Sequence, residues 1–212
     1  LFHKTIIVGN EAVVEGISFP WYFEGKIMNY YVIQVITREE EKYIKLAGNA
    51  LRLNDEIPPG AGRLVWPRRQ LTIRRRGKQK TEMAPLFPGY LFWEGDAIFP
   101  DLYWTLRRVP GFIRFLKSNQ DIEPLSGEPL RLIRHFMNCG EVVQPSRVYF
   151  DKNNRIRVTQ GPLKGMEGLI VKIDRRKQRA KVRLNLYEDS FLVDFGFELM
   201  EPAGEGDETG KG

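Results

Sequence analysis

The sequence predicts an α+β protein in which an N-terminal α/β sandwich on an antiparallel sheet precedes a small C-terminal β barrel. Three observations carry this expectation. Tyr30 to Ile36 is a run of β-branched and aromatic residues, the composition of a buried strand. Amphipathic stretches with helical spacing alternate with further strand-like runs up to about residue 139. Beyond residue 155, short apolar runs recur at close spacing between turn residues, the pattern of a small closed barrel.

Residues 1–27 begin with Leu1 and hold short apolar runs separated by Gly9, Gly16 and Gly25. They fit no helix period and no targeting signal. Met28 stands two residues before the first strong strand and is expected to be the natural start, with 1–27 an upstream extension that is not native. After the Tyr30 to Ile36 strand, Thr37 offers an N-cap and Glu40 a capping-box partner. The helix it would open runs to about Leu53, with Tyr43, Leu46, Ala47, Ala50 and Leu51 on one face. Pro58, Pro59, Gly60 and Gly62 end it. Strands are expected around Arg63 to Trp66, Leu71 to Arg75 and Tyr90 to Trp93, the first two joined by Pro67 and a basic turn.

A second helix is expected over Ile98 to Arg108, stopped by Pro110 and Gly111, then a short strand over Phe112 to Leu116. Ser126 would cap a third helix, roughly Pro129 to Asn138. These elements make a domain over 28–139, followed by a linker over 140–147. A barrel domain over 148–201 is expected to hold strands at Arg155 to Val158, Gly168 to Ile173, Ala180 to Leu186, Phe191 to Val193 and Phe197 to Met200. The polar, Gly-rich end, 202–212, is expected to be disordered.

The formal charge of +6 hides a strong asymmetry. Residues 63–80 hold eight cations and no acid: Arg63, Arg68, Arg69, Arg74, Arg75, Arg76, Lys78 and Lys80. Residues 147–187 hold twelve cations and three acids, net +9, and 188–212 eight acids and one Lys, net −7. Trp66, Leu71 and Ile73 are interleaved with the first basic run. An array anchored in this way loses less entropy on meeting phosphates than a free tail.

The chemistry of an enzyme is not visible. Cys139 is the single cysteine and His3 and His135 the two histidines, too few for a disulfide framework or a metal site. No acid lies within a helical turn of His135. The glycines at 161, 165 and 168 resemble a phosphate loop only faintly, because Met166 stands where such a loop needs Lys. The expectation is a binding protein with no catalytic residue, no metal and no cofactor, in a reducing, cytoplasmic setting and without a membrane span.

Four segments resemble a known family. Tyr30-Tyr31-Val-x-Gln-Val, then Phe87-Pro88-Gly89-Tyr90, then Leu106-Arg107-Arg108-Val109-Pro110-Gly111-Phe112-Ile113 are similar to the N-terminal domain of NusG-type transcription elongation factors. The stretch from Arg157 to Gly168, with Gly161, Lys164, Gly165 and Gly168, resembles the KOW motif of their SH3-like C-terminal barrel. The resemblance covers roughly 29–201 in the family's order. It implies a bacterial, monomeric factor that docks on the clamp helices of RNA polymerase through an apolar pocket, here Tyr31, Phe87, Pro88, Tyr90 and Phe92. It also implies suppression of pausing or termination.

One departure is that Leu186-Tyr187-Glu188-Asp189-Ser190 replaces the longer Phe-Gly-Arg-x-Thr-Pro loop of general NusG proteins, which leaves open any contact with a ribosomal protein or termination factor. The run Pro85-Leu86-Phe87-Pro88-Gly89-Tyr90-Leu91-Phe92 and the Arg-dense hairpin more closely resemble the specialised paralogues of the RfaH, LoaP and UpxY kind. On this reading Arg68, Arg69, Arg74, Arg75, Arg76 and Lys78 bind a recruiting nucleic acid, an RNA hairpin in preference to an exposed DNA strand. The alternative is an RNA-binding ribosome-associated or translation protein that uses the KOW barrel. A fold-switching C-terminal domain stays open as well, although the alternation in Leu169 to Ile173 favours a constitutive barrel.

Overall fold

The computed structural model describes residues 28–200 apart from 76–77, 117–118 and 188, together with the backbone of 6–8, 11–14 and 17–19. In chain order the elements are β1 (Ile6–Val8), β2 (Glu11–Val14), β3 (Ile17–Phe19), β4 (Asn29–Val35), α1 (Glu40–Arg52), β5 (Gly62–Val65), β6 (Arg68–Arg75) and β7 (Lys78–Pro85). There follow β8 (Tyr90–Gly95), α2 (Pro100–Arg108), β9 (Phe112–Phe115), α3 (Gly127–Asn138), β10 (Val142–Val143), β11 (Ser146–Phe150) and β12 (Ile156–Gln160). The last are β13 (Ile170–Asp174), β14 (Arg179–Leu186) and β15 (Asp189–Leu199).

The apolar runs before Met28 form an antiparallel meander, β1-β2-β3. The rest of 1–27, and the expected disordered end at 202–212, lie outside the described residues. The chain divides into two compact units, 1–65 with 89–125 and 66–88 with 126–212. Compactness thus cuts the chain differently from the boundaries expected at 139 and 148. The β6–β7 hairpin and α3 belong to the same unit as the KOW strands.

The first unit is built on an antiparallel sheet in the order β5-β8-β4-β9. Ile33, Leu91, Phe115, Leu102, Leu106 and Tyr43 are fully buried, and burial of such side chains is what drives the layers together. Tyr103 of α2 stacks on Phe115 with ring centres 5.8 Å apart, and Tyr43 of α1 donates its hydroxyl to the Leu106 carbonyl at 2.9 Å. Trp93 is seated between two glycines. A Cβ at Gly62 would come within 2.7 Å of the indole, and one at Gly95 would collide with its Nε1.

Helix α1 begins three residues later than Thr37 and has no side-chain cap. The expected capping box is therefore corrected. Glu40 is buried and uses Oε1 to accept the Gly89 N–H at 2.7 Å, so the carboxyl group ties the Pro88-Gly89 turn to the start of the helix. Gly89 has φ +82°, and a Cβ there would lie 2.8 Å from Thr37 Oγ1. Two constraints, one on φ and one on space, demand glycine at this turn.

In the second unit, β6 pairs antiparallel with β7 and, on its other edge, parallel with β10. The expected joining of Arg63–Trp66 to Leu71–Arg75 as neighbours is also corrected. β5 pairs with β8 and β6 with β7, so the chain changes sheet at Pro67, which has no N–H to continue a ladder.

The C-terminal strands form a five-stranded half-barrel sheet, β12-β11-β15-β14-β13. Along β14, Ala180, Val182, Leu184 and Leu186 are buried, alternating with less buried Lys181, Arg183 and Asn185. The two expected strands after residue 190 are one continuous strand, β15. Asp194 does not break it, because it faces Lys181 across the ladder in an ion pair of 3.0 Å. Helix α3 covers part of this sheet: Phe136 stacks on Phe195 at 5.5 Å, and His135 Nε2 lies 2.7 Å from the Pro162 carbonyl oxygen.

Candidate nucleic-acid interface and apolar face

The basic hairpin exists, but its cations do not form one free array. Arg69 is turned inward. Its Nε donates to the Asp194 carbonyl at 2.6 Å and its Nη1 to the Pro85 carbonyl. Burial pushes its pKa down to about 10, against the pull of Asp194. Arg69 therefore fastens the hairpin to β15 and is no longer a candidate phosphate ligand.

Arg68 lies 5.0 Å over the Trp66 ring, a cation–π contact that orients the guanidinium. Arg63 is engaged in the other unit, where Glu94 accepts from its Nε at 2.6 Å and also accepts from Tyr30. Arg74 and Arg75 lie at the end of β6, paired with Gln79 and Lys78 across the hairpin, and Arg76 falls outside the described residues. Lys78 and Lys80 are exposed on β7. The hairpin thus spends Arg68 and Arg69 on structure and leaves Lys78 and Lys80 exposed.

One cationic group was not singled out from sequence. Arg175, Arg176 and Lys177, in the β13–β14 turn, lie in the same unit as the hairpin, and Arg179 Nη2 is 3.4 Å from the Thr72 carbonyl of β6. The net charge of +9 over 147–187 was the available signal, but it did not say which of twelve cations would meet β6.

The five apolar residues do not form one pocket. Across β4 and β8, Tyr31 is opposite Trp93, and Val32 opposite Phe92. Cross-strand partners project to one side and successive residues to opposite sides. Tyr31 therefore lies on the opposite face of the sheet from Tyr90 and Phe92. Its hydroxyl donates to the Asp96 carbonyl at 2.9 Å, and burial raises its pKa. Tyr90 and Phe92 are 5% and 0% exposed. Phe87, in the other unit, is buried edge-on against Phe191 with ring centres 5.5 Å apart, and Pro88 is exposed.

The KOW glycines divide by role. Gly161 has φ +100°, and a Cβ there would sit 2.7 Å from the Ser146 backbone, while Ser146 Oγ accepts the Leu163 N–H at 3.0 Å. Gly165 also has a positive φ, +78°, whereas Gly168 has open space around it. Lys164 is exposed at the tip. Turn geometry therefore explains two of the three glycines.

Among the described residues, no group of three or more His, Cys, Asp or Glu could hold a metal ion, and no helix is long and apolar enough to cross a membrane. Cys139 is half-buried, and burial raises its thiol pKa.

An antiparallel α/β sandwich followed by a half-barrel opened by a glycine-pinned loop is the architecture of a sandwich joined to a KOW module. The family model described as "Transcription termination factor nusG" matches residues 28–134, half of the chain, and the KOW motif matches 152–183. The chain belongs to the NusG family. It is similar to the "Transcription termination/antitermination protein NusG" of Thermus thermophilus, 26% identical over 186 residues, covering 83% of this chain and 99% of that one. The protein of the same name from Buchnera aphidicola is 24% identical over 181 residues, covering 84% and 98%. Among solved structures, "Domain interaction in Thermotoga maritima NusG" matches with a TM-score of 0.53 and 21% identity, over 80% of this chain and 94% of that one. That likeness concerns the fold.

Proposed function

We propose that this chain is a transcription termination/antitermination factor that binds RNA polymerase and alters pausing or termination during elongation. The observation that carries the reading is the family match over 28–134 followed in order by the KOW motif, across nearly the whole length of the NusG relatives. In this reading 28–139 is the polymerase-binding domain, 148–201 the KOW domain, and 140–147 the connection. The clamp helices of the polymerase would dock on the face of the first unit's sheet that carries Tyr90 and Phe92, while Tyr31 supports the sheet from its other side. Because Tyr90 and Phe92 are buried, docking requires that the face open.

The distal hairpin, with Arg74, Arg75, Arg76 and Lys78, would hold a recruiting nucleic-acid element, RNA in preference to DNA. The specialised, RfaH-like character rests on the Pro85–Phe92 run and the Arg-dense β6–β7 hairpin. At the β14–β15 turn Leu186 pairs directly with Asp189, so the longer partner-binding loop of general NusG proteins is replaced by a short turn.

Purified polymerase and purified ribosomes, each passed over the immobilised full chain, test this directly. Retention of polymerase, lost on Tyr90→Ala/Phe92→Ala when the variant keeps its circular dichroism, is the expected result. Retention of ribosomes alone would replace it with the ribosome-associated reading.

A further inference from the structure

The second unit contains a cleft of about 780 Å³ between the β6–β7 hairpin and the half-barrel. One wall is Arg175, Arg176, Lys177 and Arg179; Gln70 and Gln79 line the other. Glu198 is the one carboxylate in the lining, and it is paired with Arg147 at 3.9 Å. The cleft therefore presents four cations, with its single acid already engaged.

These cations are placed in advance. Arg175 lies 3.7 Å from the centre of the Phe150 ring and donates from Nη2 to Asn154 Oδ1 at 3.0 Å. Lys177 reaches Asp174 at 3.8 Å, and its N–H is accepted by the same carboxylate at 2.9 Å, which shapes the turn. Arg179 joins the two walls: its Nη2 lies 3.4 Å from the Thr72 carbonyl of β6, so the turn and the hairpin are held at a fixed separation.

We propose that this cleft binds the phosphates of single-stranded nucleic acid, held jointly by the β13–β14 turn and the β6–β7 hairpin. The inference deepens the nucleic-acid part of the function proposed above and rests on it, but is independent of the polymerase part. The cleft is concave and falls in the range of about 300–1,000 Å³ typical of small-ligand sites. It has room for a short stretch of strand, whereas a duplex carries its phosphates on a convex rod. Charged guanidinium groups grip phosphate oxygens, and the amides of Gln70 and Gln79, each both donor and acceptor, suit sugar and base edges. Ribose and deoxyribose strands share the phosphate chemistry, so both are tested.

The experiment is fluorescence anisotropy of labelled single-stranded RNA and DNA 10-mers with the full chain over a salt series. Arg175→Gln/Arg176→Gln removes two exposed cations, and its fold is checked by circular dichroism. The account expects affinity at low salt to fall on the order of tenfold, and the slope of log K against log salt to shrink by about 1.4, at ~0.7 per phosphate contact on a single strand. Gln79→Ala, on the exposed opposite wall, is expected to weaken binding by about threefold. Arg131→Gln, an exposed cation of α3 outside the cleft, is expected to change nothing. Binding of either sugar supports the site, and the tighter one names its natural source.

Wild-type affinity in the Arg175→Gln/Arg176→Gln variant overturns the proposal. So does a duplex that binds equally well with the same dependence on the turn, or displacement of the strand by polyglutamate at equal charge concentration. If Lys78→Gln/Lys80→Gln weakens binding while the turn variant does not, the hairpin reading survives and the cleft falls. If the wild type binds no strand at low salt, both fall, while retention of polymerase still stands or fails on its own.

Discussion

Replacing Glu40 with Ala should destabilise the first unit more than an ordinary change at a helix end. Glu40 is 3% exposed, and its Oε1 accepts the Gly89 N–H at 2.7 Å. Alanine leaves that buried donor unpaired, a loss of about 1–3 kcal/mol. It also removes an acidic side chain from the first turn of α1, worth about 0.3–1 kcal/mol. The expected total is about 1.3–4 kcal/mol. With a urea slope of about 2 kcal/mol/M, the midpoint of the first unit's transition should fall by about 0.7–2 M. Glu40→Gln keeps an acceptor in place and should lose less than half as much. Urea unfolding of the full chain followed by circular dichroism reads the midpoint, and amide exchange at Gly89 reads the bond itself. A midpoint within about 0.3 M of the parent, or equal losses for Ala and Gln, would refute the assignment of this hydrogen bond as the tie between turn and helix.

Phe136→Ala removes the ring stacked on Phe195 and should cost about 3–5 kcal/mol in the second unit, measured by thermal or urea unfolding. Gly161→Ala should lose about 1–3 kcal/mol, since it adds a Cβ 2.7 Å from Ser146 at a φ of +100°, whereas Gly168→Ala should be nearly neutral. Cys139 should react with iodoacetamide more slowly than a free thiol at pH 8. Burial raises its pKa and disfavours the thiolate, so its rate should still be climbing at a pH where an ordinary thiol has levelled off. Arg69→Met should loosen the hairpin, seen as faster amide exchange along β6, with little effect on the salt dependence of nucleic-acid binding. The reason is that Arg69 donates to the Asp194 and Pro85 carbonyls and does not face solvent as a free cation.

The strands that the sequence makes legible are those whose side chains are apolar on both faces or alternate cleanly. β4 and β8 are nearly all buried, and β14 alternates. β7 escapes such reading because Lys-Gln-Lys-Thr-Glu-Met has neither pattern; it is a strand through its pairing with β6. The role of Glu40 is hidden because its partner lies 49 residues away. An acid at that place in a sequence looks like a capping residue.

The candidate site divides in the same way. That the hairpin is basic is visible in the residues. That Arg69 turns inward while Arg179 meets β6 depends on contacts of 125 and 107 residues' separation. The five aromatic and proline residues share a motif, but only the register of β4 on β8 shows that Tyr31 and Phe92 occupy opposite faces. Gly161 and Gly165 were legible as turn residues. The reason for Gly161, the backbone of Ser146 beneath it, was not.

Whether this NusG-family chain acts on transcribing RNA polymerase is decided by in vitro transcription with purified polymerase across an operon-leader template, with and without the full chain. The expected result is a changed pattern of pausing or terminator readthrough that Tyr90→Ala/Phe92→Ala abolishes. An unchanged pattern on every template, with the chain folded and in excess, would contradict it.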